Sequence, residues 1–119
     1  MNHIILTSMP NADLAKKWNA LLADTQFATH YVTPNYFIDP YVLGQRFAVL
    51  AVEDDGRIAA SATGTFDDKH IVSGLFSRPQ MIFRNRINRE AAINVLLEGM
   101  QQLCEAPRSI SLYAWQEVQ

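Results

Sequence analysis

The sequence predicts an α+β domain: a mixed, mostly antiparallel sheet flanked by helices on both sides. Three observations predict it. Two segments space their apolar residues at helical intervals. Several short runs rich in β-branched and aromatic residues are divided by turn signals. The "DDG" of Asp54–Gly56 joins two of those runs as a tight hairpin, because Asp-Gly supplies the positive φ that such a turn requires. A length of 119 residues predicts a single domain spanning 1–119.

The elements follow in order. "HIILT" (His3–Thr7) reads as a strand. Leu14, Trp18, Leu21 and Leu22 then recur at helical spacing, which predicts a helix over Ala12–Ala23, with Asn11 as its N-cap and Asp13 favourable in the first turn. "FATHYVTPNYFIDPYVLG" is aromatic and broken by prolines. Thr33-Pro34 and Asp39-Pro40 each pair a cap residue with proline at the first helical position, predicting one or two short helices that end at Gly44. Arg46–Glu53 and Arg57–Phe66 are the hairpin strands, and the first is apolar on both faces, as an interior strand should be. "DDK" makes the next turn and "HIVSGLF" a third strand of the meander. After a break at Arg78-Pro79, "QMIF" (Gln80–Phe83) extends the sheet.

The strongest helix signal comes next. Ile93, Leu96, Leu97, Met100, Leu103 and Cys104 are expected on one face and Asn94, Glu98, Gln101, Gln102 and Glu105 on the other, with Asn88 as cap and Pro107 as stop. "SISLYAW" (Ser109–Trp115) alternates as a strand. The order is therefore β-α-α-β-β-β-α-β, with "QMIF" as an added strand of the meander.

Composition bounds the function. Apolar residues make up 49% and charged residues 18%, a balance that favours a packed core over disorder. A net charge of −2 argues against bulk attraction to nucleic acid or to an anionic membrane. Residues 1–68 are net negative and residues 69–119 net positive, so an anionic partner is expected to meet the second half. Cys104, the one cysteine, has no partner for an internal disulfide and reads as a buried structural thiol. "MNHIILTSMP" lacks the basic flank and long apolar run of a signal peptide, and no apolar stretch nears the roughly 20 residues of a membrane span, so a cytoplasmic location is expected.

Two constellations stand out. Arg78, Arg84, Arg86 and Arg89 hold four of the ten Lys and Arg residues and surround the predicted start of the second helix, where free N–H groups and the positive helix end favour an anion. The alternative is a solvated loop whose surface ion pairs are worth about 0–1 kcal/mol each. Trp18, Tyr31, Tyr36, Phe37 and Tyr41 form an aromatic belt, either as core packing or as a grip on a substrate, with tyrosine hydroxyls reaching the surface. His3, His30 and His70 are far apart and, with one cysteine, fit no metal spacing.

Trp18 followed by "LLADTQFATHYVTPNYF", the "AVLAVEDDGRIAASATG" hairpin, and "SGLFSRPQ" ahead of the second helix resemble, in that order, the GNAT acyltransferases. The resemblance is closest to the N-terminal half of the FemAB-like double-GNAT proteins and covers roughly residues 10–115. It implies a strand and two helices ahead of an antiparallel meander, then a central helix leading into a parallel strand. It also implies that Tyr31 and Tyr36 lie above the acceptor site, and that the stretch Arg84, Asn85, Arg86, Ile87 and Asn88 corresponds to the turn that holds the coenzyme A pyrophosphate.

GNAT-type transfer needs a base for the amine proton and a donor for the leaving thiolate. His70, Glu53 and Glu117 are candidates for the first role and Tyr113 for the second. The departure from the family pattern is the absence of glycine in "RNRINREA", where the family carries a glycine-rich turn. Without glycine, backbone N–H groups are less free to wrap a diphosphate.

Three functions follow as expectations. The first is an acyltransferase-related half domain, incomplete alone, that works as a homodimer or beside a second GNAT-like domain. The second is a complete small N-acetyltransferase that holds acyl-CoA with an atypical loop. The third is a non-enzymatic module that pairs an exposed sheet edge with a partner strand.

Overall fold

The computed structural model describes residues 1–23, 25, 30–74, 80–104 and 109–112. The predicted class holds. A six-stranded sheet is built from β1 (Asn2–Leu6), β2 (Gln45–Val52), β3 (Ile58–Phe66), β4 (His70–Ser73), β5 (Met81–Phe83) and β6 (Ser109–Leu112). Two helices, α1 (Ala12–Leu22) and α2 (Arg89–Gln101), cover its two faces.

The strand order is β1-β2-β3-β4-β6, with β5 also on β3. All pairings are antiparallel except β4–β6, which runs parallel from His70↔Ser109 to Ser73↔Leu112. A parallel neighbour requires a crossover, and α2 is that crossover.

Alternation along β2 sorts the core. Phe47, Val49 and Ala51 point to the α2 side, with Ala60, Ala62, Ile71 and Met81. Ala48 and Leu50 point to the α1 side and meet Trp18, Leu21, Val32, Ile58 and Ile82. The caps form as expected. Asn11 Oδ1 accepts from the Leu14 N–H at 2.9 Å and Asn88 Oδ1 from the Ala91 N–H at 3.1 Å, each worth about 1 kcal/mol. Gly56 takes the hairpin turn at φ 90°.

Two expectations need correction. The stretch from Asp39 to Gly44 is not a helix. Two 3₁₀ turns, His30–Val32 and Pro34–Ile38, precede it, and Asp39 closes the second of them. The Asp39 carboxylate accepts from the Tyr41 N–H at 2.8 Å, while the Arg46 guanidinium donates to the carbonyls of Tyr36 (2.7 Å), Val42 (2.9 Å) and Asp39. The carbonyls that a second helix would use are thus taken by a side chain from β2.

The buried seam of α2 is also rotated from the expected face. Ala92, Leu96, Gly99 and Met100 are fully covered, while Ile93, Leu97, Leu103 and Cys104 only flank the core. The small residues set this. A Cβ at Gly99 would come within 2.5 Å of Val49 Cγ1, so glycine lets the helix lie flush on β2. The polar face stands as expected at Asn94, Glu98, Gln101 and Gln102, all exposed; Glu105 and Pro107 lie outside the described residues.

Candidate functional site

The turn from Arg84 to Asn88 carries the chain from β5 into α2, and its residues divide by role. The Arg84 N–H donates to the Ala59 carbonyl at 2.7 Å, and its guanidinium donates to the Ile58 carbonyl through Nε (3.2 Å) and Nη2 (2.9 Å). Arg84 therefore staples the turn to the start of β3. Ile87 is half-buried and packs on the α2-side core, while Asn88 is the helix cap. The Arg89 guanidinium lies 4.5 Å from the centre of the Phe83 ring, a cation–π contact. Asn85 and Arg86 are exposed, and Arg86 makes no ion pair with a described residue.

The backbone of this turn answers the missing glycine. Arg86 itself adopts the left-handed conformation, at φ 64°. A residue with a Cβ gives up about 1–2 kcal/mol there relative to the right-handed region. The turn shape that glycine would ease is present, and an arginine is held in it.

The charge of the cluster is smaller than the sequence suggests. Arg84 and Arg89 are engaged, Arg78 lies outside the described residues, and Glu90 stands in the first helical turn. One exposed guanidinium beside a capped helix end is a poor match for the charge of a diphosphate. These residues do not, by themselves, fit coenzyme A.

The aromatic belt is mostly core. Trp18 and Tyr36 are buried and both meet Phe37 edge-on, at ring separations of 6.4 and 6.2 Å. Tyr41 does not join them; it is 90% exposed, beside exposed Leu43 and Ile38. Tyr31 is half-buried, and its carbonyl accepts a hydrogen bond from Thr63 of the sheet.

Beneath this belt lies a buried polar cluster that sequence reading missed. Thr63 of β3 donates its hydroxyl proton to the Tyr31 carbonyl at 2.6 Å and accepts from Gln80 Nε2 at 3.2 Å. Gln80 Oε1 accepts from the Gly74 N–H at 2.9 Å, and the buried Tyr36 phenol stands beside the Gln80 side chain. Thr63, Gln80 and Tyr36 are each 2% exposed or less. Burial pushes the Tyr36 phenol above its ordinary pKa, against the pull of the Gln80 side chain and the nearby Arg46 charge. The sequence signal was slight: Thr63 is one of three hydroxyl residues in β3, and Gln80 stands just ahead of β5.

The proposed bases do not come together. Glu53 sits at the hairpin turn, 3.4 Å from Arg57, whereas His70 is exposed at the start of β4, its N–H bonded to Asp67. They lie at opposite ends of β3, whose nine residues span about 30 Å. Tyr113 and Glu117 fall outside the described residues, as does the outer part of the expected strand Ser109–Trp115. Among the described residues there is no cluster of His, Cys, Asp or Glu that could hold a metal ion, and no helix is long and apolar enough to cross a membrane. Compared with protein-family models, curated proteins and solved structures, the chain matches none.

Proposed function

We propose that the chain is an acyltransferase-related domain of the GNAT-like, FemAB-like kind, catalytically incomplete alone, which works as a homodimer or as part of a larger acyltransferase. The observation that supports this reading is the path of the chain around α2. An antiparallel meander ends in an arginine-rich turn, a helix crosses one face, and β6 returns parallel to β4. That path is what the resemblance implies for a central helix and its parallel strand.

Incompleteness is supported by the same turn. Of its three described arginines one is free to meet an anion, and the two described candidate bases, Glu53 and His70, stand at opposite ends of β3 rather than together. The test is a calorimetric titration with acetyl-CoA, paired with sedimentation of the same sample. The expected result is no saturable binding by the isolated chain and a self-associated species.

A second reading, a complete small N-acetyltransferase, draws support from Arg86. An exposed arginine held at φ 64° is strain that a ligand contact would explain. Saturable acetyl-CoA binding that is lost in Arg86→Ala would establish that reading and overturn the first.

A further inference from the structure

β1 is an edge of the sheet, and the ladder fixes which of its backbone groups face outward. The N–H and C=O of one strand residue point to the same side, and the side alternates from residue to residue. The Thr63 N–H donates to the Gln80 carbonyl, away from β2, so the groups of Ala62 face β2. Ala62 pairs with Val49, whose groups therefore face β3, in phase with the Glu53 N–H that bonds the Arg57 carbonyl. Leu50 then faces β1, where it pairs with Ile4. Asn2, Ile4 and Leu6 thus spend their backbone groups on β2. His3 and Ile5 aim theirs outward, where no described strand meets them.

This edge lacks the usual guards. Edge strands are commonly blunted by lysine, proline, an inward charge or a bulge. β1 reads NHIIL, with no proline and no acidic, lysine or arginine side chain, and its register runs unbroken from Asn2↔Val52 to Leu6↔Ala48. Ile4, Ile5 and Leu6 are only half-buried, at the fringes of the two core clusters.

The edge is also complementary to itself. Opposed residues of an antiparallel pair share a face of the sheet, so a two-fold axis between identical strands must pass through a residue. An axis at Ile4 matches the whole of β1. His3 then opposes Ile5 of the second copy, and Ile5 opposes its His3. Each of these pairs exchanges two N–H···O bonds, about four in all. An axis at His3 or at Ile5 keeps only one such pair within β1. With the axis at Ile4 no like charges are opposed, and the two Ile4 side chains meet on the α1 side in the close, non-hydrogen-bonded position.

We propose that β1 pairs antiparallel with β1 of a second copy about a two-fold axis at Ile4, joining the two sheets into one. The occupant is a second copy because the same five residues satisfy both sides of the contact. The inference rests on the homodimer half of the function proposed above and not on its acyltransferase half.

Sedimentation equilibrium of the whole chain over a range of concentrations tests it. The unaltered chain should show a reversible monomer–dimer equilibrium. His3→Pro removes an outward N–H that the single copy does not use, and proline is tolerated on the free side of an edge strand. The dimer loses a bond in each half, so its Kd should rise about tenfold or more. Register is read by oxidation in a Cys104→Ser background. Ile4→Cys should form a covalent dimer at least about tenfold faster than His3→Cys, because only position 4 opposes itself, at a Cα separation of about 4.5 Å that a disulfide spans. If His3→Pro does not fold, the two cysteine variants decide. A dimer that His3→Pro does not weaken, or equal oxidation at the two positions, would overturn the β1 pairing and leave the homodimer standing. A monomer at every concentration would overturn both and leave only assembly with a second domain.

Discussion

Ser61 and Thr63 sit two residues apart on the same face of β3, both fully buried, and their hydroxyls should have opposite effects on stability. Ser61 lies between Leu50 and Ile82, and its Oγ has no hydrogen-bond partner. An unpaired buried hydroxyl costs about 1–3 kcal/mol, so Ser61→Ala, which removes one atom, should stabilise the fold by about 1–2 kcal/mol. Thr63→Val keeps the shape but removes the hydroxyl that bonds both the Tyr31 carbonyl and Gln80 Nε2. Losing these two buried bonds should cost about 2–4 kcal/mol, a large part of the 5–15 kcal/mol typical of a domain.

Urea unfolding followed by tryptophan fluorescence reads both changes as shifts of the midpoint at constant slope. The two midpoints should move apart, Ser61→Ala above the unaltered chain and Thr63→Val below it. A Ser61→Ala variant destabilised by more than about 1 kcal/mol would show that this hydroxyl has a partner. A neutral Thr63→Val would remove the basis for the buried cluster.

Two further outcomes follow from backbone strain and burial. Arg86→Gly should stabilise the protein by about 0.5–1 kcal/mol in the same unfolding assay, since relief of the left-handed strain exceeds the added chain entropy; destabilisation would mean that the Arg86 side chain supports the turn. Burial holds the folded-state pKa of Tyr36 above the ordinary value of a phenol, so its stabilising share is complete below about pH 10 and is lost as pH rises through the folded value. Unfolding midpoints at pH 8 and 11 should therefore converge between the unaltered chain and Tyr36→Phe, and a gap that widens would refute the burial argument.

The parts of the fold legible in the sequence were those fixed by local chemistry. Asp54–Gly56 turns because glycine alone takes φ 90° easily, and Asn11 and Asn88 cap because their side chains reach N–H groups three residues on. What was not legible depended on distant partners. Asp39-Pro40 carries a helix-start signal, yet Arg46 from the next strand claims the carbonyls around it. Helical spacing alone centred the α2 face on its large residues, whereas Gly99 and Ala92 decide which side can lie flush on β2.

The site shows the same division. An arginine cluster is visible as letters, but whether each guanidinium is free depends on its folded neighbours: Ile58, 26 residues from Arg84, and the Phe83 ring that Arg89 covers. Gln80 gave no signal beyond a polar residue before an apolar run, because the Thr63 hydroxyl that it bonds lies 17 residues away.

The parallel contact between β4 and β6 has a consequence for how the chain assembles. The Asp-Gly hairpin can zip within microseconds from neighbouring residues, whereas β6 must wait until α2 has been laid across the sheet. Until then one side of β4 is an open backbone edge. During synthesis or refolding, that interval is when the molecule is most prone to stick to its own copies, and slowing the formation of α2 would lengthen it.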